Sequence, residues 1–122
     1  RKGIAGTVID GINRDVALAY QLGYPLFTKD NWMRTGKDRV QVEGVNVPVT
    51  IGGARVRPGD ILRGDADGVV VIPQEHEEGV LAAAEEIDVT EEHIRNSVRN
   101  GKSLRQAREE FRYHQLQSKA KK

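Results

Sequence analysis

Hydrophobic and polar positions change period along the chain. Residues 4–9 (IAGTVI) form a short β-branched apolar run between Gly3 and Asp10-Gly11, which predicts a buried strand ending in a turn. After Asp15, Val16, Leu18, Ala19 and Leu22 recur at helical spacing up to Gly23, a residue suited to a helix C-terminus. Tyr24-Pro25-Leu26-Phe27 predicts a second short strand, which the proline restricts to an edge or a strand start. Residues 28–38 are polar around Trp32 and Met33 and read as an excursion loop. Residues 40–43, 45–51, 54–56 and 69–72 then predict short strands in close succession, punctuated by Gly52-Gly53, Pro58-Gly59-Asp60 and Asp67-Gly68.

Beyond Pro73 the period becomes helical. Val80, Leu81, Ala84 and Ile87 share a face, and Val89, Ile94 and Val98 continue it. Glu75, Glu77 and Glu78 suit the helix start electrostatically. Asp88 or Thr90 could cap a second helix, so a kink is expected near 88–90. Asn100-Gly101 ends this segment, and Ser103 with Gln106 predicts a capping box for a helix that turns Leu104, Ala107, Phe111 and Leu116 inward. A basic tail, with Lys119, Lys121 and Lys122, follows Ser118 and is expected to fray. The pattern is that of an α/β chain, β-rich over 1–75 and helical over 76–122.

Length adds that one small domain is the natural expectation for 122 residues. Nineteen basic and eighteen acidic residues give a net charge of +1, so no global field selects nucleic acid, a membrane or an acidic substrate. Without cysteine there is no disulfide framework, thiolate nucleophile or cysteine-ligated metal. No apolar run reaches the roughly 20 residues of a membrane span, and a soluble, cytoplasmic protein is the expectation. The start on Arg1-Lys2, directly before a strand, reads as part of something longer.

Chemistry concentrates at Arg14-Asp15, placed where a strand and its turn lead into a helix. Asp15 is a hard oxygen ligand for a magnesium ion that keeps most of its waters, and Arg14 can pair bidentately with a carboxylate. Taken alone, the pair is better described by a helix N-cap beside a surface charge. Elsewhere, Asp65-Ala66-Asp67-Gly68 lacks the later ligands of a calcium loop and reads as a hairpin turn. Gly52-Gly53 lacks the residues that would make it a phosphate cradle. His76, His93 and His114 have no metal-ligand spacing. Lys37 and Asp38 occupy a loop that could close over a substrate, though nothing in the sequence distinguishes them from ordinary loop polarity. Arg105, Arg108 and Arg112 form a basic strip without an aromatic stacking platform, so no direct nucleic-acid contact is expected.

Several blocks occur in order: Val8-Ile9-Asp10-Gly11 with Arg14-Asp15, Gly23-Tyr24-Pro25-Leu26-Phe27, Val45-Asn46-Val47-Pro48-Val49 with Gly52-Gly53, and Val56-Arg57-Pro58-Gly59-Asp60 with residues 64–73. Together they resemble the RraA-like family, that of the regulator of ribonuclease activity A, which includes the class II 4-hydroxy-4-methyl-2-oxoglutarate aldolases. The resemblance runs from residue 4 to about 75. It implies part of a swivelling β/β/α-type domain, assembled as a homo-trimer or hexamer with sites between subunits. It also implies a metal-dependent lyase cleaving 4-hydroxy-2-oxo acids to pyruvate, with oxaloacetate decarboxylation as a second activity. In that reading Arg14 binds substrate and is catalytic, Asp15 holds Mg2+ or Mn2+, and Glu91 or Glu92 supplies a carboxylate to a neighbour's site. For Glu91 and Glu92 a solvated helix face is the plainer reading. Other members bind and inhibit a ribonuclease, which makes a non-catalytic regulator the alternative.

In the aldolases an aspartate beside a glycine-rich turn precedes the Arg-Asp pair. Only thirteen residues precede Arg14 here, so those groups are expected from a missing N-terminal half or partner chain. The 122-residue chain alone is accordingly expected to be inactive and to need that partner to behave well, because an unsupported strand at 4–9 exposes an edge.

Overall fold

Strands β1 (Thr7–Asn13) and β2 (Leu26–Asn31) run parallel, joined by helix α1 (Val16–Leu22). Residues 14–25 supply the connection of about a dozen residues that a parallel pair requires. The structure, a computed structural model, describes residues 3–116, so the lysine-rich tail after Ser118 lies outside the described residues. Two compact units divide the chain, Arg1–Gln74 and Glu75–Lys122.

In the first unit β1 does not end at Asp10-Gly11, as the sequence pattern predicts, but runs through it. Ile9 faces Thr28 and Ile12 faces Asp30, so Asp10 and Gly11 together oppose the single residue Lys29. This is a β-bulge, which accommodates an Asp-Gly pair inside a strand. Gly23 (φ 59°) stops α1, its amide returning to Ala19 and Tyr20. Pro25 stands just before β2, where a missing N–H is harmless, and β2 extends to Asn31, into the stretch expected to be loop.

Two antiparallel hairpins complete this unit. β3 (Val49–Ile51) and β4 (Ala54–Val56) are joined by Gly52-Gly53, both at positive φ, the conformation a two-residue hairpin turn demands. β5 (Ile61–Asp65) and β6 (Gly68–Ile72) are joined through Ala66-Asp67, where the Asp67 amide donates to Asp65 Oδ1 at 2.9 Å. Strand β5 was not anticipated from the sequence. Conversely, residues 40–43 and 45–48, expected as strands, have no ladder; only Val49–Ile51 pairs.

The second unit is helical. α2 (Glu77–Arg99) is continuous through 88–90. No second cap forms there, because Thr90 Oγ1 donates back to the Glu86 carbonyl at 2.9 Å. The capping box forms as expected: Ser103 Oγ accepts from the Gln106 amide and Gln106 Oε1 from the Ser103 amide, opening α3 (Leu104–Glu110). Arg112 (φ 51°) then interrupts the expected longer helix before α4 (Tyr113–Leu116). Ile94 and Ala107 are buried, and the His93 ring stacks on Phe111 at 5.5 Å.

Most large apolar side chains nevertheless remain open to solvent, Ile9, Ile12, Leu18, Leu62 and Val70 among them, while Val56 alone is buried in the first unit's described residues. A parallel sheet is ordinarily covered on both faces. Here β1 and β2 form a two-stranded one with exposed positions along it.

Candidate functional site

Arg14 and Asp15 stand between the end of β1 and the start of α1. Asp15 is the N-cap residue of α1, yet its side chain makes no capping hydrogen bond. Its backbone explains this. At φ 66° and ψ 28° Asp15 is left-handed, whereas a capping aspartate normally has an extended backbone that turns its carboxylate onto the N2 and N3 amides. A left-handed non-glycine residue costs on the order of 1 kcal/mol, least for Asp and Asn. The carboxylate is left exposed, with the Arg14 Nε 3.7 Å from its Oδ2. The N-cap reading of Asp15 is therefore right about position, but capping is not what the carboxylate does.

Neighbouring polar groups hold the end of β1 in place. Asn13 Oδ1 accepts from Thr28 Oγ1 at 2.9 Å, and the Asn13 carbonyl accepts from the Trp32 amide at 2.8 Å. At the bulge, Asp10 Oδ1 accepts from Lys29 Nζ at 2.6 Å and from the Gly52 amide at 3.0 Å, joining β1, β2 and the β3–β4 turn. The Lys29 ammonium, then the Gly52 N–H, holds the Asp10 carboxyl below its ordinary range. Sequence inspection missed these residues. The signal available was Asp10-Gly11 in the middle of a longer apolar alternation, a pattern of bulges as well as of turns.

An open cleft of about 780 Å³ borders this region, lined among others by Asp10, Asn13, Val16, Tyr20, Tyr24 and Lys29. That is the size of a small-molecule pocket. Asn13 and Val16, which flank the Arg14-Asp15 pair, line it; Arg14 and Asp15 themselves do not.

Glu91 and Glu92 belong to the second unit, where their carboxylates are engaged. Arg95 lies 3.5 Å from Glu91 and 2.7 Å from Glu92, Arg99 reaches Glu92 at 3.3 Å, and Tyr113 Oη donates to Glu91 at 3.3 Å. The Arg95 bond holds Glu92 below its usual range. Lys37 and Asp38 lie in a turn in which the Arg39 and Val40 amides donate to the Gly36 carbonyl. In the basic strip, Arg105 pairs with Glu109 at 3.6 Å and Arg108 covers the Tyr113 ring at 4.9 Å.

Among the described residues, no three His, Cys, Asp or Glu side chains converge as a metal cage. Magnesium does not demand one, being commonly held by one or two carboxylates with water and substrate oxygens. The exposed, uncapped Asp15 carboxylate fits that role as a single ligand. No helix among the described residues is long and apolar enough to cross a membrane.

Comparison with known proteins places the chain among relatives. The Aldolase/RraA family profile matches residues 1–71. A protein named "Putative 4-hydroxy-4-methyl-2-oxoglutarate aldolase" from Halalkalibacterium halodurans is 41% identical over 90 residues, covering 74% of this chain and 42% of that protein. Protein DlpA of Legionella pneumophila is 38% identical over 115 residues, 94% of this chain but 19% of its own length. A crystal structure of an uncharacterized protein from Pseudomonas syringae pv. tomato superposes with a TM-score of 0.84 at 40% identity, over 87% of this chain and 53% of that one. The chain thus spans about half, or less, of the length of these relatives.

Proposed function

The chain belongs to the RraA-like (Aldolase/RraA) family, and from that premise we propose that it contributes the Arg-Asp half of the active site of a metal-dependent lyase acting on 4-hydroxy-2-oxo acids such as 4-hydroxy-4-methyl-2-oxoglutarate. The carrying observation is Asp15, held left-handed at the head of α1 with its carboxylate uncapped and exposed beside the Arg14 guanidinium. A helix N-cap that serves only to cap has no use for that conformation.

In this reading the Asp15 carboxylate holds Mg2+ or Mn2+, which when bound supplies Lewis acidity to the 2-oxo group. Arg14 binds the substrate carboxylate through paired N–H donors and stays charged at any working pH. Its positive charge also offsets the negative charge that builds up as the carbon–carbon bond breaks. Asn13, fixed by Thr28, and the bulge at Asp10 set the direction in which β1 delivers the pair. Oxaloacetate decarboxylation would draw on the same two residues. Sites shared between subunits of a homo-trimer or hexamer, and a cytoplasmic location, form part of this proposal.

The test uses the full-length protein, assayed for pyruvate release across a panel of such acids with and without magnesium. Magnesium-dependent release is expected, lost in Asp15→Gly, which keeps the left-handed backbone and removes only the carboxylate. Undiminished activity in that variant would refute the role given to Asp15. Binding of an endoribonuclease without any lyase activity would favour the regulator reading instead.

A further inference from the structure

The φ and ψ of a residue describe how the two peptide planes that meet at its Cα are turned against each other. At Asp15 both planes are held from outside the residue. The Asp15 carbonyl accepts from the Ala19 amide at 3.1 Å, the first bond of α1, and the Arg14 carbonyl accepts from Asn13 Nδ2 at 3.3 Å. A carbonyl can only accept, so the Asn13 side chain turns its nitrogen to Arg14 and its oxygen the other way. There the Thr28 hydroxyl donates to that oxygen at 2.9 Å. Asn13 is also anchored across the sheet, opposite Asn31 in the ladder and with its carbonyl bonded to the Trp32 amide at 2.8 Å.

Without the hold on the Arg14 carbonyl, the Arg14–Asp15 peptide is free to turn over and give Asp15 the extended backbone of an ordinary N-cap. That would relieve the left-handed strain and bring the carboxylate onto the amides of Ala17 and Leu18, the N2 and N3 positions of α1. We infer that Asn13 is a positioning residue: acting through the Arg14 carbonyl, with its amide oriented by Thr28, it keeps Asp15 left-handed and the carboxylate off the helix. Asparagine suits the task because one end donates to a carbonyl while the other accepts from a hydroxyl; aspartate offers only acceptors and leucine neither. The carboxylate kept free in this way is the one given to the metal, and that half of the inference rests on the lyase reading. The backbone half does not.

The test compares the full-length protein with its Asn13→Leu variant, which is close to asparagine in shape and keeps the main-chain bond to Trp32. Two quantities are read: hydrogen exchange at Ala17 and Leu18 in the metal-free protein, and affinity for Mn2+ alone from the free-ion EPR signal. Loss of a merely structural bond would loosen the turn and speed exchange, whereas a newly gained cap slows it. In Asn13→Leu exchange at these two amides should slow about fivefold, and Mn2+ affinity should fall about tenfold or more. Thr28→Val, which leaves the Asn13 amide free to turn, should move both quantities in the same directions, and Thr28→Ser should restore them. In an Asp15→Gly background, with no side chain left to cap, Asn13→Leu should produce no slowing. Unchanged or faster exchange in Asn13→Leu overturns the inference, as does slowing that persists without the Asp15 carboxylate. Slower exchange with unchanged Mn2+ affinity supports the hold by Asn13 and overturns instead the metal role given to Asp15.

Discussion

Adding a single methyl group at Gly64 tests how the β5–β6 hairpin packs on β2. A Cβ built there would lie 2.5 Å from Phe27 Cζ and 2.8 and 2.9 Å from the adjacent ring carbons, whereas ordinary contact starts at 3.4 Å. The ring must therefore retreat by 3.4 − 2.5 = 0.9 Å, or the hairpin must lift. Gly64 is not at positive φ, so no backbone strain enters and the contact alone decides. Alanine in a strand gains roughly 0.5–1 kcal/mol over glycine, against about 1–3 kcal/mol for overpacking against the half-buried Phe27 ring. The clash should win, and at about 4–8 °C per kcal/mol the Gly64→Ala midpoint should drop by several degrees. Trp32, the single tryptophan, follows β2 directly and reports this unit by fluorescence. Phe27→Leu removes the ring edge, so combining it with Gly64→Ala should recover about 1–2 kcal/mol relative to the sum of the single changes. An unchanged midpoint in Gly64→Ala, or strict additivity in the pair, would refute the close approach.

Two further outcomes follow from the hydrogen bonds. Asp10 is held below its ordinary value of 3.8 by Lys29 and the Gly52 amide, so its contribution is present above that value and is lost as pH falls through the depressed one. The Gly52 amide proton shift should therefore titrate below 3.8 and move up in Lys29→Met; the same midpoint in both proteins would show that the ammonium does not set it. Ser103→Ala removes one half of the capping box and should cost about 1 kcal/mol, seen as faster amide exchange in α3 and not in β5–β6. Equal acceleration in both elements would contradict a local cap.

What could be read from the sequence was what neighbouring residues decide. Gly23 ended α1, Gly52-Gly53 turned β3 into β4, and Ser103 with Gln106 capped α3, each through bonds spanning a few residues. The Arg14-Asp15 pair was visible for the same reason. The left-handed backbone at Asp15 was not, because aspartate is also a common capping residue with an extended one. The tie from Asp10 to Lys29 and Gly52 joins positions far apart in sequence, and composition offers no sign of it. Strand β5 escaped because Gly64 and the charges of Arg63 and Asp65 dilute its apolar pattern. The opposite error, at 40–43, has one cause: alternation shows what a segment could pair as, but a ladder needs a second strand.

The left-handed backbone at Asp15 also limits which substitutions the position accepts. It admits glycine and asparagine readily and most other residues only under strain. Both replacements are a single base change away from an aspartate codon, and both remove the carboxylate while leaving the turn into α1 intact. The metal-holding role proposed for this position could thus be lost in evolution without a detour through unstable intermediates, and a scaffold freed in that way would be available for selection on its surface alone.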